Sequence, residues 1–541
     1  MTPLCRIVRG FPSAWLFLFL SISPGAAVAV DARVQDLLAE MSIEEKVGQM
    51  TQVTLAVLLD DATKRDKSRL VVDPAKLNDA INKYHVGSIL NTGGRALTVD
   101  EWRAVISMIQ DEALDSRIKV PVVYGIDSIH GATYMKGSTL FPHNIGLAAS
   151  RNADLAGRIA DVTAKETRAA GIRWNFDPVL DVGRDPLWSR FEETFGEDSF
   201  LAGKLGTAMV LNYEKGDLSR SDAVASCMKH YLGYSDPANG KDRTPAYIPD
   251  IELYEHHVPP FREAVEAGAA TIMINSASVN GMPVHGSKRL LTELLREELG
   301  FEGLVVSDWE DVIRLHVRHK IAETPRDAVR IAVEAGLDMS MVPNDYSFFE
   351  HLVSLVHDGE VSEARIDESV RRILQLKFDV GLFDNAYAEP EAVKNFGLPE
   401  YQDLALEAAL RTITLLKNTD ATLPLAPDAR VLLAGPAAHN LGALHGSWSY
   451  TWQGRDERAY PDTTLSFAEA LASRARTSER GSDNITVMGN PDFAAPENGD
   501  TERLTKLAAG ADVIVLALGE HADAESPGAL DDLDLPADQQ A

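Results

Sequence analysis

The chain has 541 residues, a formal net charge of −29 and only two cysteines. That length allows two or three domains with cores of their own. The charge excludes nucleic acid and anionic lipid as partners, since both polyanions would be repelled, and it suits an uncharged substrate.

Residues 1–29 read as a signal peptide: Arg6 and Arg9 precede the short apolar run WLFLFLSI, and Ala27 and Ala29 form an A-x-A cleavage pattern. The run is short for a membrane span and no later segment is apolar enough to cross a bilayer, so a periplasmic or secreted protein is expected, with no membrane contact after cleavage. Cys5 leaves with that segment. Cys227 is then alone, which excludes an internal disulfide and predicts a small buried hydrophobe.

MSIEEK offers Ser42 and Glu45 as a capping box that opens a helix. Eight short apolar runs follow, at 49–55, 86–90, 121–127, 174–182, 223–232, 271–277, 303–309 and 338–343. Amphipathic stretches such as 155–170 and 259–270 separate them. This alternation predicts a (β/α)8 TIM-like barrel over 30–385. Polar residues end the runs: Asp127, Asp181 with Arg184, Lys229 with His230, and Asp308. In a barrel these positions converge on one rim, where active sites are built.

A linker is expected over 386–425 and a second α/β unit, a sandwich domain, over 426–541. Its strands are RVLLAGP, NITVMGN and DVIVLALGE, its crossover helices 466–476 and 501–511, and its loops 477–483 and 489–500. Three strands leave an uncovered sheet edge and DLDLPADQQA stops where another helix begins, so this domain is expected to be truncated.

A carboxylate at a strand end can attack an anomeric carbon if its surroundings keep it ionised, and Lys229, His230 and Arg184 are the groups that would do so for Asp308. Asp127 can accept two hydroxyl hydrogen bonds from a sugar ring. Neither the histidines nor the carboxylates show H-E-x-x-H or similar spacing, so no metal and no cofactor is expected.

YGIDSIHG, FDPVLDVGRDPLWSRFEETFGED, KHYLGY, VVSDWE, LDMSMVPNDY and LLKN, in this order and spacing, resemble glycoside hydrolase family 3, and most of all its exo-acting β-glucanases and β-glucosidases of plants and bacteria. The resemblance runs from about residue 34 to 541. It implies that Asp308 is the nucleophile and that Asp127, Arg184, Lys229 and His230 hold the terminal glucose. It places the acid/base in the second domain, in GEHADAESPGALDDLDLP, at Glu525, with Glu520, Asp523, Asp531 and Asp532 as rivals. It implies too that Trp309 and Trp452, with Trp448 nearby, sandwich the next sugar; the Gly- and Ser-rich surroundings of the last two read as a loop rather than a helical core.

Two departures stand out: Ser276 replaces an aromatic residue, and Arg243 in NGKDRTPAY either contacts the leaving-group sugar or is a solvated loop charge. The implied activity is retaining, exo-acting hydrolysis that releases glucose from β-glucans or β-gluco-oligosaccharides. A β-xylosidase and a truncated, non-catalytic glucose-binding fragment are the alternatives; KHYLGYSDP counts against a β-N-acetylglucosaminidase. The oligomeric state stays open.

Overall fold

The computed structural model describes residues 32–66, 69–476, 484–488 and 500–540. The signal-like segment and most of the two loop segments at 477–483 and 489–500 lie outside them. Among the described residues no helix is long and apolar enough to cross a membrane.

All eight apolar runs form parallel strands: β1 Thr51–Thr54, β2 Ser88–Leu90, β3 Val123–Ile126, β4 Trp174–Asn175, β5 Ala225–Tyr231, β6 Thr271–Ile274, β7 Leu304–Val306 and β8 Ser340–Met341. They pair in the order β8-β1-β2-β3-β4-β5-β6-β7, and a parallel bridge between Val306 and Met339 brings the two ends together. Every residue of these strands is buried, which is why they read as near-continuous apolar runs rather than as an alternation. Strands β4 and β8 are short because Pro178 and Pro343, which carry no N–H, follow close behind. The helices between them start where the sequence caps them. Ser42 and Glu45 form the expected capping box, Thr98 and Glu101 another, and Asn152 and Asp198 accept from the first-turn N–H groups of Ala153–Ala169 and Ser199–Glu214.

The connection over 386–425 is more than a linker. Pro399–Thr412 is a helix that buries Tyr401, Leu404 and Ala408, at helical spacing, against the barrel's core. Beyond it, β9 Val431–Ala434, β10 Ile485–Met488 and β11 Val513–Leu516 form a parallel sheet in the order β10-β9-β11, with helices Phe467–Arg476 and Asp500–Ala508 as crossovers. The architecture is therefore a (β/α)8 barrel followed by a smaller α/β domain. Leu433 packs with Ala438 and Ala468 on one face of the small sheet, while Ile514 and Leu516 are exposed.

Two segments of the smaller domain reach the barrel's rim. In the first, Ser447 and Trp448 carbonyls accept from His130 Nε2 and Thr133 Oγ1, and Tyr134 N–H donates to Ser449. In the second, Ser526 Oγ donates to Asp242 (3.0 Å). The first loop is pinched shut by Gly446 (φ +77°) and Gly454 (φ +69°); a Cβ on Gly454 would lie 2.0 Å from the Gly446 carbonyl oxygen. Trp448 and Trp452 therefore lie on a loop.

Candidate active site

A cavity of about 650 Å³ opens at the C-terminal ends of the strands. Asp127, Lys229, His230, Asp308 and Trp309 line it from the barrel, and Trp448, Trp452 and Glu525 line it from the smaller domain.

Asp308 follows β7 and is buried. Trp309 N–H donates to its Oδ1 (2.5 Å) and Ser276 Oγ lies 2.8 Å from its Oδ2. Arg243 Nη2 approaches Oδ1 at 3.7 Å and His230 Nε2 approaches Oδ2 at 3.9 Å. Burial alone would push this carboxyl up. The guanidinium of Arg243, then His230, Arg190 and the Trp309 N–H, outweigh it and hold Asp308 well below the usual carboxylate range. A buried but ionised carboxylate in a cavity is a competent nucleophile.

Glu525 arrives from the other domain with backbone φ +56° and ψ −148°, a strained conformation for a non-glycine residue. Its Oε1 accepts from Arg190 Nη1 and Arg243 Nη2, each at 3.1 Å. Burial pushes its carboxyl up, opposed by those two guanidiniums and reinforced by Asp308 and Asp242. Because Arg243 Nη2 touches both acids, at 3.1 and 3.7 Å, the two nearest oxygens are at most 6.8 Å apart, those contacts laid end to end. That ceiling admits the ~5–5.5 Å separation of retaining glycosidase pairs and lies at the short edge of the inverting range. Of the rival acids, Glu520 is exposed, Asp523 pairs with Arg455, Asp531 pairs with Lys241, and Asp532 is exposed.

The sugar-gripping candidates lock one another. Lys229 Nζ donates to Asp127 Oδ1 (2.6 Å) and Asn91 Nδ2 to Oδ2 (2.9 Å), which fixes the carboxylate plane. His230 Nδ1 lies 2.7 Å from Asp181 Oδ2. Burial lowers the imidazole and raises Asp181, so one proton serves that contact. Trp448 is buried, its Nε1 donating to Glu193 (2.8 Å), and Lys229 Nζ lies 5.7 Å from its ring centroid. Trp452 and Trp309 are half-buried at the same cavity.

Arg184 is a correction. It is exposed and pairs with Glu252 at 3.5 Å, outside the cavity. Arg190, six residues later in the same motif, lines the cavity instead. A buried guanidinium needs a buried carboxylate. Glu193 supplies one, gripping Arg190 Nε and Nη2 at 2.9 and 2.8 Å and leaving Nη1 for Glu525. WSRFEE places this pair at i, i+3, the one local signal that could have singled it out.

Arg243 proves to be no solvated loop charge: its side chain is only 10% exposed, and it donates through Nη1 to Ser276 Oγ (2.7 Å) and through Nη2 to Glu525. Cys227 is buried, and burial pushes its thiol up to about 12, as befits a packing residue. Asn91, Asp311 and Glu193 are further participants that sequence reasoning passed over.

The family models "Glycosyl hydrolase family 3 N terminal domain" and "Glycosyl hydrolase family 3 C-terminal domain" match residues 42–376 and 413–541. A lysosomal beta glucosidase of Dictyostelium discoideum is 41% identical over 529 residues, covering 94% of this chain and 63% of that protein. A periplasmic beta-glucosidase of Salmonella typhimurium is 33% identical over 428 residues, covering 78% of this chain and 52% of that protein. The crystal structure of an exo-1,3/1,4-beta-glucanase from a Pseudoalteromonas species superimposes with a TM-score of 0.79 at 31% identity, covering 93% of this chain and 60% of that one. The chain thus spans less than two thirds of the length of each of these relatives.

Proposed function

Because the chain belongs to glycosyl hydrolase family 3, we propose that it is a retaining, exo-acting β-glucosidase that releases glucose from the non-reducing ends of β-glucans and β-gluco-oligosaccharides. One observation carries the reading: two carboxylates from different domains, one held ionised and one pushed toward its protonated form, meet across a single guanidinium at the cavity.

In this mechanism Asp127, Lys229, His230 and Arg190 grip the terminal glucose, and Trp309 with Trp452 and Trp448 bounds the next ring by stacking. Glu525 gives its proton to the glycosidic oxygen while Asp308 attacks the anomeric carbon, forming a glucosyl ester and releasing the shortened chain. Glu525, now a carboxylate, takes a proton from water, which attacks the same carbon and frees glucose and Asp308. The smaller domain supplies the acid, so turnover depends on domain docking. Placement in the periplasm or outside the cell is part of the proposal. It rests on the signal-like residues 1–29 and on the periplasmic relative.

A panel of aryl β-glycosides that differ only in the sugar tests the assignment: the glucoside is expected to give the highest kcat/KM, ahead of xyloside and N-acetylglucosaminide. A preference for either of the others, or turnover of none, would overturn it. The two arginines make a paired test on the glucoside. Arg190→Lys is expected to lower kcat/KM by about 10²-fold, because lysine cannot make the fork to Glu193 and still reach Glu525. Arg184→Ala is expected to stay within about twofold, an exposed ion pair contributing little.

A further inference from the structure

Ser276 sits where three charged groups converge, and it has one proton to give. Its hydroxyl accepts from Arg243 Nη1 (2.7 Å), lies 2.8 Å from Asp308 Oδ2, and makes a shorter contact with Asp311 Oδ2. One hydroxyl proton cannot serve two carboxylates: one of these contacts lacks a hydrogen unless a carboxyl is itself protonated. Asp308 is not that carboxyl, since Trp309 N–H donates to it and Arg243 and Arg190 hold it ionised.

Asp311 is buried and its Oδ1 has no hydrogen-bond partner among the described residues. Its cationic neighbours stand off: Arg243 Nη1 at 3.6 Å, Arg314 Nε at 3.6 Å and Arg318 Nη1 at 3.7 Å. Arg314 is shared with Glu310, and Asp308 faces Asp311 across the serine. Burial, against Arg243, and repulsion from Asp308 push the Asp311 carboxyl up to about 7.

We propose that Asp311 is a positioning residue for the reaction proposed above: its protonated carboxyl donates to Ser276, which commits the serine hydroxyl to Asp308. Ser276 then accepts two hydrogen bonds and donates one, its full complement. Asp308 is held on both oxygens, by Trp309 N–H and by Ser276, and the Ser276 hydrogen bond also stabilises the carboxylate as it leaves in the second step. The sign follows from the proton. The relay is complete below about pH 7 and is lost as pH rises through that value, when Asp311 ionises and both acids compete for one hydroxyl.

The proposal rests on the glucosidase reading, so its test uses a dinitrophenyl β-glucoside, whose leaving group departs without help from the acid/base. Wild-type kcat/KM is expected to fall as pH rises through about 7. In Asp311→Asn, whose amide donates to Ser276 at every pH, that limb is expected to move up by at least about one pH unit. Ser276→Ala is expected to lower kcat by about 10²-fold with KM within about threefold, and to lose the limb. Superimposable wild-type and D311N profiles would overturn the relay. A second readout needs no turnover. The wild-type-minus-D311N infrared difference is expected to show a protonated carboxyl band on the acid side of about pH 7 that vanishes on the alkaline side. Its absence would overturn the relay whatever the enzyme's activity, whereas a wild type that cleaves no glucoside but shows the band would overturn only the function.

Discussion

Asp308→Ala is expected to lower kcat on an aryl β-glucoside by roughly 10⁴–10⁶-fold, the scale on which deleting a covalent nucleophile acts. Asp311, which shares Ser276 with it, does not line the cavity, and Asp127 is tied to Lys229 and Asn91. The stability of the variant is a separate matter. Removing one member of a buried charge cluster leaves Arg243 less well paired, although Glu525 and Ser276 still contact it. The decisive measurement is therefore turnover by protein whose melting profile remains cooperative. Near-normal turnover would remove Asp308 from the mechanism. An activated 2-deoxy-2-fluoro-β-glucoside gives a positive counterpart: the label should be found on the peptide that carries Asp308, and its appearance on another carboxylate would reassign the nucleophile.

Glu525→Ala should produce a loss that depends on the leaving group. On a poor leaving group, about 10²–10⁴-fold of kcat/KM is expected to disappear, the usual contribution of a positioned general acid. On a dinitrophenyl glucoside the first step needs no proton and should survive, so the glucosyl ester accumulates and kcat falls because nothing activates water. Azide, a small anion that needs no general base, should then restore turnover and yield the β-glucosyl azide. The pH dependence carries the same signature. Burial raises the Glu525 carboxyl, so its acid function is present at low pH and is lost as pH rises through that raised value; E525A should lack this limb on poor leaving groups. Equal losses on good and poor leaving groups, or no response to azide, would transfer the role to another group. Azide rescue of the wild-type chain itself would mean that Glu525 is not in working position.

The barrel was legible because its signal is local and repeated. A strand buried on both faces must be apolar throughout, and a crossover helix must be amphipathic, so eight runs and the stretches between them mark the fold. The rim positions were legible for the same reason, since a charge at the end of an apolar run has one face of the barrel to occupy. Reading the site went wrong at Arg184 because a motif names a neighbourhood, not a direction. Which of two arginines in GRDPLWSR turns inward depends on the fully buried Glu193 that pairs with Arg190, whereas Arg184 meets the half-exposed Glu252, and pairing of that kind exists only after folding. The helix at Pro399–Thr412, whose apolar stripe is Tyr401, Leu404 and Ala408, falls inside the span 386–425 expected to be a linker.

The sequence by itself determined the two kinds of folding unit, the strand ends that bear Asp127, Lys229, His230 and Asp308, and a loop in the second unit that carries Glu525 and its rival acids. Pattern and spacing suffice for these, because each is a property of a few consecutive residues. Tertiary structure alone decided which acid of that loop reaches the cavity, that Arg243 lies between Asp308 and Glu525, and that Ser276 links Asp308 to Asp311. These residues are distant in sequence. Their charges take meaning only when docking removes water and brings them within a few ångströms, where one proton or one guanidinium must serve more than one carboxylate.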